Sequence, residues 1–134
     1  MTEKTSGAER NLTGVWNGLY TYQDGRSTSF VATLIDSAGA LSGTTHEPLG
    51  GDLGATLYAG VVGSRSGSSV TFTKIYDRPD LLHRSPIVYD GILNGDGSEI
   101  EGRWTIVKAW SGKFLMIRPP GQTEKAERKA FART

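Results

Sequence analysis

Large apolar residues recur along this chain two places before a glycine, and a second side chain follows two places after it. The five copies are Leu12-x-Gly14-x-Trp16, Leu41-x-Gly43-x-Thr45, Tyr58-x-Gly60-x-Val62, Tyr89-x-Gly91-x-Leu93 and Ile100-x-Gly102-x-Trp104. A period of two places all three named residues of each copy on one face of a strand. Glycine weakens an ordinary strand, so its repetition at mid-strand calls for strong bending or for close approach of another group. A small closed barrel needs both. The pattern predicts eight strands, near residues 13–22, 27–35, 40–46, 56–63, 69–76, 86–94, 99–107 and 113–118.

The connections sort by length. Asp36-Ser37-Ala38-Gly39, Ser64-Arg65-Ser66-Gly67-Ser68 and Gly95-Asp96-Gly97-Ser98 are compact turns, with glycine for positive φ and Asp or Ser to bond the local backbone. Segments 47–55 and 77–85 are long, while 23–26 and 108–112 are short. Strands running up and down would gather the three compact turns at one end and both long loops at the other. The expected fold is therefore all-β, an eight-stranded antiparallel up-and-down barrel with a closed base and a looped mouth. A two-sheet sandwich with crossover connections is the alternative.

Alternation sets the faces. Gly14, Trp16, Gly18, Tyr20 and Tyr22 share the inner face of the first strand, and Gly102, Trp104 and Ile106 that of the seventh. Val70, Phe72, Lys74 and Tyr76 share the fifth, and Leu41, Gly43, Thr45 and Glu47 the third. Tyr58, Gly60 and Val62 are expected inside on the fourth, which sends Leu57, Ala59 and Val61 outward. With Leu115 and Ile117 on the last strand, these put apolar residues on both faces of the wall and predict a covered exterior. The expected partner is a second copy, as a homodimer or higher homo-oligomer. Phe114, Met116 and Arg118 line the inner face of the eighth strand, where an arginine needs a partner.

Composition narrows the function classes. One domain fits 134 residues: a flexible N-terminus over 1–11, the barrel over 12–119 and a polar basic tail over 120–134. Within the tail, 123–131 can form about two helical turns, with Glu124 and Arg128 at i,i+4. Lys125, Arg128, Lys129 and Arg133 against Glu124 and Glu127 leave residues 121–134 at +2 and the remainder at −1. A formal charge of +1 gives no basic field that proposes nucleic acid. No run is apolar enough to cross a membrane, and no secretory signal opens the chain, so a cytoplasmic location is expected. Zero cysteines remove thiolate metal ligands and cysteine nucleophiles. His46 and His83, with Glu47, Asp52, Asp77 and Asp80 nearby in sequence, match no metal-ligand spacing, and no cofactor motif is present. Ser85 lacks a nucleophile elbow, and the glycines of 49–54 suit a mobile lid.

Gly14-x-Trp16 at the start of the first strand, with Arg118 ending the eighth, resembles the signature of calycin barrels, which include lipocalins, fatty-acid-binding proteins and avidins. The resemblance implies that Trp16 plugs the closed base and that Arg118 packs across its ring. Ile100-Glu101-Gly102-Arg103-Trp104 is similar to the avidin branch, where a tryptophan also points inward. The remaining biotin-site pattern of avidins has no counterpart beyond Trp104.

The expected ligand-binding residues are Tyr20, Tyr22, Glu47, Tyr58, Lys74, Tyr76, Tyr89 and Trp104, an aromatic wall with a few polar groups in the upper barrel. Lys74 could meet an acidic ligand, or merely pair with Glu47 at the rim. Three functions stay open: a small-molecule-binding barrel with its ligand at the mouth, a small acid–base enzyme of cyclase, lyase or decarboxylase type, and a protein-interaction or inhibitor domain.

Overall fold

The computed structural model describes residues 11–48, 55–77, 86–106 and 109–119. The expected flexible N-terminus up to residue 10, the expected lid at 49–54, residues Asp80, His83 and Ser85, and the expected helical tail lie outside the described residues. Eight strands form a closed barrel: β1 (Gly14–Thr21), β2 (Ser27–Ser37), β3 (Ala40–Pro48), β4 (Thr56–Ser66), β5 (Ser69–Tyr76), β6 (Ile87–Leu93), β7 (Glu99–Ile106) and β8 (Trp110–Ile117). Each pairs antiparallel with its sequence neighbour, and β1 closes against β8. The eighth strand begins at Trp110, which pairs with Ile106, rather than at 113. Gly112 makes that extension work, because a Cβ there would strike the Thr21 carbonyl and the Trp104 indole.

The compact turns gather at the base. Ala38 and Gly39 both take positive φ, 53° and 95°, as a two-residue hairpin turn requires. The carboxylate of Asp36 organises this end by accepting from the Leu12 amide at 3.0 Å, the Gly39 amide at 2.8 Å and Arg65 Nε at 2.7 Å. Burial alone would raise the Asp36 pKa, but these donors outweigh it and hold it below the ordinary carboxylate range. Trp16 is fully buried, with its indole N–H donating to the Leu12 carbonyl at 3.0 Å. Arg118 lies over the Trp16 ring, 4.2 Å from its centroid. Its guanidinium also donates to the carbonyls of Gly97, Thr13 and Asn11.

Above this plug the barrel is filled by rings. Phe72 and Tyr89 stack at 4.8 Å and 11°, and Phe114 meets Tyr89 edge-on at 4.9 Å. The glycines make room for them: a Cβ on Gly18 would enter the Phe30 ring, and one on Gly91 would crowd Phe114.

The fourth strand corrects the sequence reading. Leu57, Ala59 and Val61 are buried, whereas Tyr58 is 54% and Val62 70% exposed. Both faces of this strand are apolar, so alternation could not choose between them. The barrel interior chooses instead. Gly63, on the same face as Val61, sits opposite Phe72, where a Cβ would hit the Thr71 carbonyl and the Phe72 backbone. Only the face that carries this glycine can turn inward, and Arg65 then reaches Asp36 at the base.

Candidate functional site

Four strands bring charged and phenolic groups together beneath the mouth. Glu47 comes from the end of β3, Lys74 and Tyr76 from β5, Tyr20 from β1 and Tyr89 from β6. Glu47 is the hub. It accepts from the Tyr20 hydroxyl at 2.6 Å on one oxygen, and from the Tyr76 hydroxyl at 3.1 Å and Lys74 Nζ at 3.3 Å on the other. Lys74 and Glu47 are both buried. The pair is thus not the rim salt bridge that sequence left open, and Lys74 does not extend to water.

The lysine is caged. Its ammonium lies 4.8 Å from the ring centre of Tyr20, 4.9 Å from Tyr76, 5.2 Å from Phe30 and 5.3 Å from Tyr89. Each such contact contributes about 0.5–2 kcal/mol, the larger values applying when desolvated. Phe30 completes the cage and was missed from sequence because it reads as ordinary core. Its ring reaches Lys74 only because the facing residue on β1 is Gly18.

Burial shapes the protonation equilibria. Desolvation lowers the Lys74 pKa below its ordinary 10.5, and Glu47 opposes this only in part. Desolvation, reinforced by the Glu47 charge, pushes the phenols of Tyr20, Tyr76 and Tyr89 above their ordinary value. The tyrosines stay protonated and act as donors to the carboxylate.

Over this cluster lies a void of about 30 Å³ lined by Tyr20, Tyr22, Tyr76, Ile87, Tyr89, Trp104 and Ile106. It has room for one or two waters. Trp104 fixes the wall, its indole N–H donating to the Thr21 carbonyl at 3.0 Å. A second, wider groove of about 360 Å³ opens at the rim between Gln23, Asp24, Arg26, Trp110 and Ser111. Tyr22 lines both spaces. Its ring meets Trp104 at 5.5 Å and Trp110 at 5.9 Å, both edge-on. Trp110, half exposed, is a rim residue that sequence analysis did not single out, because its place fell in an expected connection.

Seven of the eight expected site residues therefore converge on the upper barrel: Tyr20, Tyr22, Glu47, Lys74, Tyr76, Tyr89 and Trp104. Tyr58 does not. It stands on the outer wall beside His46, with ring centres 6.1 Å apart.

No protein-family profile and no curated protein matches the sequence. Among solved structures the chain is similar to a redesigned β-barrel, at 14% identity and a TM-score of 0.68, covering 84% of this chain and 95% of that one. It is also similar to a de novo designed fluorescence-activating β-barrel, at 12% identity and a TM-score of 0.59, with 83% and 96% covered. At these identities the likeness is one of fold.

Proposed function

We propose that the chain is a calycin-type barrel that binds a small acidic, partly aromatic molecule at its mouth. The observation that carries this reading is the Lys74–Glu47 pair, desolvated inside an aromatic cage directly beneath the void. A buried ion pair is commonly no more stabilising than well-packed apolar residues of the same volume, so its presence calls for a role beyond packing. The Trp16–Arg118 plug supports the calycin type. The fluorescence-activating barrel among the structural neighbours supports the reading at the level of architecture.

The void is too small for a ligand as it stands. Entry would proceed from the rim groove, with the Tyr22 ring swinging aside to join the two spaces. The acidic group would then take the place of Glu47 beside Lys74, and Trp104 and Tyr89 would supply apolar contact. A second reading, an acid–base enzyme, draws on the lowered pKa of Lys74 beside a carboxylate. It requires turnover of the bound molecule as well as binding.

The test is a screen of small aromatic acids by tryptophan fluorescence, with each hit measured against Lys74→Met, Trp104→Phe, Glu101→Gln and Arg103→Gln. The first two should weaken binding at least ~10-fold, as loss of one good contact does. The last two lie on the exposed outer face of β7 and should leave affinity intact. A hit that responds only to the outer pair, or no hit among acids, would defeat the proposal.

A further inference from the structure

The barrel wall is electrostatically two-sided. Among the described residues of β1 to β5, the ionisable Asp, Glu, Lys and Arg side chains are Asp36, Glu47, Arg65 and Lys74. All four lie on the inward face, in the two ion pairs Arg65–Asp36 and Lys74–Glu47. The outward positions of these five strands are Ser, Thr, Asn, Val, Ile, Leu, Tyr, Gly, Ala, His and Pro. On β6 to β8 the polarity returns to the usual form, with Asp90, Glu99, Glu101, Arg103 and Lys113 exposed.

Gly60 sits in the middle of the uncharged wall. It faces Thr44 on β3 and Ile75 on β5, and Tyr58 and Val62 flank it along β4. Tyr58, Val62 and Ile75 are each more than half exposed, so together they rim a shallow socket with the glycine as its floor. The barrel itself does not require this glycine. Its φ is not positive, and a Cβ built there meets nothing within 4 Å among the described residues. Gly18, Gly43, Gly63, Gly91, Gly102 and Gly112, by contrast, each face an atom that a Cβ would strike or crowd. A strand glycine costs stability and removes a side chain from the pleat. With no reason among the described residues, the close approach that Gly60 permits is left to a group outside them.

We infer that this wall, centred on Gly60, is the docking surface for a second copy of the same chain. The charge pattern selects that occupant. A two-fold axis sets a patch against itself, which opposes like charges wherever the patch carries them, and an uncharged patch escapes that cost. Laid flat, five strands spaced ~4.8 Å apart with eight residues rising ~3.3 Å each cover on the order of 600 Å² of backbone, to which their outward side chains add, against the ~800 Å² that each partner buries in a standard interface. The barrel curves, so the part centred on β4 meets the partner first. Tyr58 beside an open socket is the kind of aromatic anchor that dominates such contacts. The inference does not depend on the proposed ligand.

Sedimentation of the full chain between 1 and ~100 µM should show a reversible dimer whose dissociation constant barely changes with salt. Val62→Lys should raise that constant on the order of 100-fold by placing like charges across the axis. Gly60→Thr should raise it at least ~10-fold while leaving the melting temperature of the monomer unchanged or higher, since threonine suits a strand better than glycine. Thr105→Lys, on the charged side, should change nothing. A chain that stays monomeric throughout leaves the wall to a partner of another kind and overturns the inference. So does a dimer indifferent to both Val62→Lys and Gly60→Thr, or one that added salt dissociates.

Discussion

The guanidinium of Arg118, the penultimate described residue, lies 4.2 Å from the ring centre of Trp16 near the beginning of the described chain. Neither residue seals the base alone. Trp16 supplies the apolar plug, and Arg118 covers its ring while satisfying the carbonyls of Asn11, Thr13 and Gly97.

Trp16→Ala should therefore cost ~3–5 kcal/mol, the range for a large buried aromatic. Arg118→Lys keeps the charge but loses the planar fork that reaches several carbonyls, and should cost ~1–3 kcal/mol. Urea unfolding of both variants checks the pair. An unchanged midpoint for Trp16→Ala would mean that the base is held by something else.

The Lys74–Glu47 pair predicts strong coupling. Lys74→Met leaves a buried carboxylate with only its tyrosine donors, and Glu47→Leu leaves a caged ammonium without a counter-charge. Each should cost about 3–5 kcal/mol. The double variant should cost much less than the sum, because neither charge is then stranded. A double-mutant cycle by chemical denaturation measures the difference directly.

Alkaline pH should act on this cluster in two opposed ways. The folded pKa of Lys74 lies below its ordinary 10.5, so between those values the unfolded chain binds more protons and stability rises with pH. The phenols of Tyr20, Tyr76 and Tyr89 lie above their ordinary 10.0 in the fold. Beyond that pH the folded state binds more protons, and stability falls by up to ~1.4 kcal/mol per unit for each phenol. Unfolding midpoints taken from pH 7 to 12 should climb and then drop steeply, with phenolate absorbance from these three rings appearing only as the fold is lost. Lys74→Met should remove the climb and keep the drop.

Two glycines three residues apart on β4 should respond oppositely to alanine. At Gly63 the new methyl would strike the Thr71 carbonyl and the Phe72 backbone, and should cost ~1–3 kcal/mol or more as overpacking. At Gly60 it meets open space, so the monomer should be unaffected or stabilised by up to ~1 kcal/mol. Thermal unfolding of the two variants at low concentration separates these outcomes.

The same pair shows where sequence reasoning stops. Strand number, order and closure were legible because alternation, turn chemistry and connection length all agreed. The inward faces of β1, β3, β5, β7 and β8 followed from bulky residues such as Trp16, Phe72 and Trp104 that set the side. On β4, Tyr58-x-Gly60-x-Val62 and Leu57-x-Ala59-x-Val61 offered two apolar faces, and the deciding fact, Gly63 against Phe72, is a contact between strands. Convergence of Lys74 and Glu47 was likewise readable from their strand positions. Their full burial was not, because it depends on Phe30 and three tyrosines filling the space above the plug. Trp110 escaped notice for a local reason: Ser111 and Gly112 look like a turn until Gly112 is seen packed beneath Trp104.

Seven of the barrel's eight strand pairings are hairpins between sequence neighbours, and all but β3–β4 and β5–β6 close over short connections that let them form early. The eighth joins Asn17–Thr21 to Lys113–Ile117 in only five register pairs, across nearly the whole described chain. It must close last. Until it does, β1 and β8 are the two free edges of a curling sheet, each with unpaired amides and carbonyls. Arg118 follows directly on the last paired residue of β8, so its landing on Trp16 clasps the finished seam. Weakening that clasp should shorten the lifetime of the closed barrel and expose both edges to strand exchange between chains.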